Sequence, residues 1–204
     1  MKIDSHARPD AILEAAIKRF IHFGFSKTSF SEIARDLGLS QQSLYYYFPD
    51  KKALIREVIS KINCEYLALL EDKFEQRRTI TDKLMELVNV QEFFFKKYFM
   101  MTETPRDSFF HQEELADMMA ATREKLLQMV TREIEAAIAN KELGKVDAAE
   151  TAQLLMETLS ALQYAIKKEN VFPDRNEIAR VFKQQRELIR IYVAGLKPCV
   201  CGKQ

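Results

Sequence analysis

With 204 residues, 47% of them hydrophobic, and only 5 glycines and 5 prolines, the chain can bury a substantial core but has few turn-formers, so an all-α fold of long helices is expected. The net charge of +1 hides a small asymmetry, +3 over residues 1–61 and −2 over the rest, which agrees with a nucleic-acid binder without identifying one. No apolar run is long enough to cross a bilayer, MKIDSHARPD lacks a signal peptide's apolar stretch, and three cysteines have no pairing pattern, so a membrane span and a disulfide scaffold are excluded and a cytoplasmic location is expected.

The hydrophobic pattern breaks at Pro9, Gly24, Gly38, Pro49, Pro105, Gly144, Pro173, Gly195 and Pro198. Spanning the third and fourth of these breaks lies the most informative stretch, TSFSEIARDLGLSQQSLYYYFPDKK, residues 28–52. Ser29 and Glu32 have the spacing of a capping box, so a short helix is expected to begin near Phe30. Ile33, Ala34 and Leu37 share a face, and the small Ala34 allows a second helix to come close. Gly38 supplies the positive φ of a tight interhelical turn. Ser40 can cap a second helix, on which Leu44 and Phe48 stand four apart on the buried side. Its other face keeps Gln41, Gln42, Ser43, Tyr45 and Tyr46, which have the reach and hydrogen-bonding groups for base edges and phosphates, whereas Tyr47 and Phe48 are expected in the core. Phe48-Pro49 ends this helix, and Asp50 can cap a long one whose first turn carries Lys51 and Lys52. Two cations there oppose the helix dipole, and an anion such as DNA phosphate would offset that cost.

The run LSQQSLYYYFPDKKAL closely resembles the DNA-binding domain of the tetracycline-repressor (TetR) family, with its tyrosine-rich recognition helix, Phe-Pro stop, N-cap and lysine. AILEAAIKRFIHFGF, residues 11–25, is similar to that family's first helix with its closing glycine. The resemblance is specific over roughly residues 9–58. It implies an N-terminal three-helix helix-turn-helix domain (1–52), a helical effector-binding and dimerisation domain (53–198) and a tail (199–204). It implies DNA contacts from Thr28, Ser40, Gln41, Gln42, Ser43, Tyr45, Tyr46 and Lys51, with a phosphate role for Tyr45 and a base or backbone role for Tyr46. The family often has a small residue where Gln42 stands, so the operator sequence does not carry over.

Beyond residue 50, apolar spacing marks helices near 50–74, 79–103, 107–142, 147–169 and 174–196, the third broken or bent near Met119 to Thr122. Asp147 with Glu150 and Asp174 with Glu177 read as capping boxes, Thr104-Pro105 and Asp107 as another entry, and Gly144 as a left-handed stop. Aromatic and methionine side chains in the middle helices are either solid core or an adaptable apolar cavity. The resemblance favours an effector pocket of Leu67, Leu70, Phe74, Val88, Gln91, Phe94, Phe95, Tyr98, Phe110 and Met118. The last two helices are apolar around much of their circumference; Leu154, Leu155, Thr158, Leu159 and Leu162 make one stripe. The resemblance pairs them with their copies in a homodimer through Leu155, Leu159, Leu162, Phe182, Ile189 and Tyr192, which would set two recognition helices on a palindromic double-stranded operator.

The expected function is a ligand-responsive, sequence-specific transcriptional regulator, a repressor released by a small apolar or amphipathic effector. The alternative is an architectural or DNA-occupying protein of the same fold without an effector. An enzyme is not expected, since no nucleophile with a base and no metal cluster is visible; His111 with Glu114 is the nearest pair. No cofactor and no metal are expected, His6, His22 and His111 being scattered and Cys199-Val200-Cys201 a short tail motif.

Overall fold

A computed structural model describes residues 9–98, 112–169 and 175–198. Every regular element among them is a helix: α1 (Pro9–Lys27), α2 (Phe30–Asp36), α3 (Gln41–Tyr47), α4 (Lys51–Glu75), α5 (Ile80–Tyr98), α6 (Gln112–Ala139), α7 (Ala148–Glu169) and α8 (Arg175–Gly195). None of these helices is long and apolar enough to cross a membrane. The expected entries at Thr104-Pro105, Asp107 and Asp174 lie outside the described residues, as does the 199–204 tail. The expected break near Met119 to Thr122 is absent, because α6 runs through it without interruption.

The chain divides into two compact units, one from residues within 1–66 and 93–121, the other from residues within 67–92 and 122–204. In the first, Ile12, Ala16 and Phe20 of α1 close over Ile33 and Ala34 of α2, Leu44 of α3, and Leu54, Ile55 and Val58 of α4. Phe20 is completely buried and meets Phe25 edge-to-face at 5.0 Å. Gly24, at φ 74° and ψ 171°, kinks α1 so that Phe25 turns into this core.

In the second unit Leu70, Phe74, Leu84, Leu87, Val88, Val130, Ile134, Leu155, Leu159, Phe182 and Ile189 are buried to 1% exposure or less. Polar ties join its helices. Lys83 Nζ reaches Glu133 Oε2 at 2.5 Å, and Tyr192, its hydroxyl raised above the ordinary tyrosine value by burial, donates to the Thr151 carbonyl at 2.8 Å. Asp147 caps α7 by accepting from the Glu150 N–H at 2.9 Å.

The end of α6 corrects the expectation for Gly144. Lys141, at φ 62°, takes the left-handed position, while Lys141 N donates to the Ile138 carbonyl and Glu142 N to that of Ala137, the paired bonds of a Schellman motif. Gly144 instead lets backbones meet: its N–H donates to the Leu196 carbonyl at 2.7 Å, and an added Cβ would lie 3.4 Å from that oxygen. Because a side chain at positive φ costs about 1–2 kcal/mol, Lys141→Gly is expected to stabilise the second unit by about 1 kcal/mol, read as a raised denaturation midpoint. A lowered midpoint would contradict this account of the helix end.

Candidate nucleic-acid interface

The helix-turn-helix is fastened at each joint by local chemistry. Glu32 N donates to Ser29 Oγ at 3.3 Å, and Ser29 N donates back to Glu32 Oε2 at 2.8 Å, completing the capping box. At the far end of α2, Gly38 holds φ 66° while its N–H donates to the Arg35 carbonyl and Leu39 N donates to that of Ala34. This is a Schellman stop followed at once by the Ser40 cap, whose Oγ accepts from Ser43 N at 3.2 Å. The turn therefore has little freedom, and α3 leaves α2 in a defined direction.

Arg19 braces the arrangement from α1. Its Nε and Nη2 make a fork onto Asp36 at 2.5 and 2.8 Å, and Nη1 lies 3.3 Å from Glu32. The fork holds Asp36 below its ordinary value of 3.8 and raises the guanidinium, while the Ser29 backbone N–H, with its hydroxyl, holds Glu32 below 4.5. A carboxylate with a lowered folded-state value stabilises above its unfolded value and loses that contribution as pH falls through the folded one. The module is thus expected to lose thermal stability as pH drops below the 4.5 and 3.8 of unfolded Glu32 and Asp36. Melting temperatures recorded from pH 7 to about 3 should fall more steeply for wild type than for Glu32→Gln; parallel curves would remove Glu32 from the account.

On α3 the inward side is filled by Leu44, completely buried, followed by Phe48 at the C-cap. Tyr47 packs partly against the same core. The outward side divides into committed and available groups. Gln41 is committed, its Oε1 accepting from Ser31 Oγ at 2.6 Å and its Nε2 donating to Tyr45 Oη at 3.4 Å. Tyr45 leans on Phe30, ring centroids 4.8 Å apart, and stays half exposed. Ser40 and Ser43 share a hydroxyl contact at 2.9 Å. Gln42 and Tyr46, one turn apart, face outward; Gln42 is exposed, and Tyr46 at 71% is the most exposed large apolar side chain among the described residues.

Asp50 accepts from the Ala53 N–H at 2.7 Å and so starts α4, with Lys51 and Lys52 in a first turn that has no acid. Lys51 Nζ lies 3.4 Å from the Ser26 carbonyl, and burial lowers its ammonium below the ordinary value against the opposing pull of Glu32. A phosphate at this helix start would reverse that shift. Thr28 stands apart from the outward face: it is 1% exposed and its hydroxyl donates to the Gly24 carbonyl at 3.0 Å, tying the kink of α1 to the start of α2.

Residues 12–58, the span just described, match the model of a family described as bacterial regulatory proteins, tetR family. Over these residues the chain is similar to the DNA-binding domain of the TetR family. It is 43% identical over 65 residues to the HTH-type transcriptional regulator RutR of Escherichia coli K12, covering 32% of this chain and 31% of that one, so the match spans about a third of that relative. It is 29% identical over 125 residues to the uncharacterized HTH-type transcriptional regulator YuxN of Bacillus subtilis, covering 57% of this chain and 41% of that one. A transcriptional regulator from Cytophaga hutchinsonii has a similar structure, with TM-score 0.85 and 25% identity, over 93% of this chain and 98% of that one. The similarity to it extends the all-α architecture, an N-terminal helix-turn-helix before a helical C-terminal region, over most of the chain.

The other predicted residues fall in different places. Among the pocket candidates Leu70, Phe74 and Val88 are core of the second unit, where Leu67 and Gln91 are half-buried. Phe94, Phe95 and Tyr98 belong to the first unit, Phe94 lying 5.3 Å from Tyr66 and 5.5 Å from Tyr98 between ring centroids. Phe110 and the side chain of Met118 lie outside the described residues. For the dimer set a correction is needed. Leu155, Leu159, Phe182 and Ile189 are at most 1% exposed within the single chain, so they are intramolecular core and have no surface to give a partner. Leu162 and Tyr192 are half-buried, and among the described residues the large apolar side chains that α7 and α8 turn outward are Leu154 and Ile191.

Proposed function

We propose that this chain is a homodimeric, sequence-specific DNA-binding transcriptional regulator of the TetR family, a repressor released from a palindromic operator by a small effector. Residues 1–52 are the reading module, and residues 53–198 carry the effector and dimer functions. The observation that carries the reading is the division of α3: one side is fixed by Leu44 and the Ser40 cap, and the other presents Gln42 and Tyr46 to solvent. A rigid helix with an unsatisfied polar face, beside a lysine-bearing helix start, suits a major groove flanked by phosphates.

In this mechanism Ser40, Ser43, Tyr45 and Lys51 hold the backbone, and Gln42 and Tyr46, with Gln41 as their brace, meet base edges. The outward Leu154 and Ile191 support an α7–α8 face as the two-fold contact, which would place two α3 helices about one DNA turn apart. Because α4 is one continuous helix from Lys51 to Glu75, a ligand that changes its tilt changes half-site spacing. An effector that prefers the non-binding spacing by about 2–3 kcal/mol would weaken operator binding roughly 30- to 150-fold.

The test is operator affinity measured across salt concentrations. Lys51→Ala is expected to weaken binding to all sequences alike and flatten the salt slope by about one unit. An unchanged slope would remove Lys51 from the phosphate contacts. Operator affinity unmoved by a broad set of apolar and amphipathic compounds would favour a DNA-occupying protein without an effector.

A further inference from the structure

The buried stripe of α8 contains one residue that does not belong to an apolar series. Between Phe182 and Ile189 stands Gln185, completely buried. Its Nε2 donates to the Leu159 carbonyl of α7 at 2.8 Å, and its Oε1 has no hydrogen-bond partner. The amide cannot simply be turned over, since that would aim oxygen at oxygen. An unpaired acceptor is among the costlier features a core can carry, and a Leu or Met in its place would avoid it.

The same unit carries other polar groups on the helices around this stripe. One turn beyond Leu159, Gln163 Nε2 donates to Gln91 Oε1 of α5 at 3.2 Å. Next to Gln185, Arg186 donates to Asn89 Oδ1 at 3.1 Å and pairs with Glu92, also on α5. The unit that holds the orphan oxygen thus also carries two half-buried amides and an ion pair on α5, α7 and α8, and is otherwise packed with Leu, Val and Phe. Few polar groups in an apolar setting is the composition of a small-molecule site.

We propose that Gln185 is a specificity-determining residue for the effector, its Oε1 accepting a hydrogen bond from a hydroxyl or N–H on an uncharged amphipathic ligand whose apolar part lies among the core side chains. The proposal rests on the effector reading above. A ligand carboxylate is disfavoured, because it would bring negative charge against the amide oxygen of Gln185.

The experiment measures binding of four probes to the full-length protein by calorimetry: 1-octanol and its methyl ether, octanamide and its N,N-dimethyl derivative. Each probe is also added to the protein–operator complex. At least one donor-bearing probe is expected to bind wild type tenfold or more tighter than its donor-less partner, with the preference falling below twofold in Gln185→Met. Equal binding within both pairs, a preference that survives in Gln185→Met, or no binding by any probe would overturn the proposal. Should Gln185→Met fail to fold, the paired comparison on wild type decides. Donor-preferring binding that leaves the operator complex intact would keep this site and remove the release mechanism, whereas release without donor preference would do the reverse.

Discussion

Replacing Phe20 with alanine is expected to destabilise the DNA-binding unit by about 3–5 kcal/mol and to abolish operator binding at temperatures where wild type is folded. Phe20 is completely buried, its ring packs edge-on against Phe25, and its core joins α1 to the helices that carry α3. Truncation removes the transfer energy of an aromatic ring and leaves a cavity that a small core of four helices closes poorly. A loss of this size is a large share of what a small domain has in total. Chemical denaturation followed by a probe in the first unit measures it. A change below about 1 kcal/mol would mean that the core relaxes around the gap and that α3 is not held by α1 in the way described.

Replacing Gln42 with alanine is expected to cost about 1–3 kcal/mol of discrimination at one operator base pair, roughly a 5- to 150-fold loss of preference there, with much smaller effects elsewhere in the site. Gln41→Ala should do less to base choice, because the Gln41 amide already serves Ser31 and Tyr45. Its loss should loosen Tyr45 and weaken binding more evenly. The measurement is affinity for the operator and its single-base variants with both proteins. Equal, sequence-independent losses would assign Gln42 to the backbone instead.

Much of the first unit was legible because its determinants are local. Ser29 with Glu32, Gly38, Ser40 and Asp50 act on backbone groups within four residues of themselves, so their spacing alone announces the caps and the turn. Arg19 with Asp36 was not legible: the partners are 17 residues apart and meet only once α1 and α2 have packed. Thr28, which the resemblance places among the DNA contacts, turns its hydroxyl onto the Gly24 carbonyl at the kink of α1, a contact that its spacing does not announce.

The second unit was legible as helices and not as faces. A helix apolar around most of its circumference does not reveal which stripe meets its neighbour. Leu154 and Leu155, adjacent in sequence and about 100° apart on the helix, end at opposite extremes of exposure. Gly144 followed the rule that glycine ends helices, yet Lys141 takes the left-handed position three residues earlier, and Gly144 lies against the Leu196 carbonyl. Gln185 carried no signal at all, since a single glutamine in a helix is ordinary until its burial is known.

Whether α3 reads DNA sequence as one half of a two-fold pair is decided by selection of bound duplexes from a random pool at two salt concentrations, with wild type and a Tyr45→Ala, Lys51→Ala double variant. Wild type is expected to enrich an inverted repeat, retained at the higher salt, that the variant cannot select. Weak, steeply salt-dependent binding with no enriched sequence would contradict that reading.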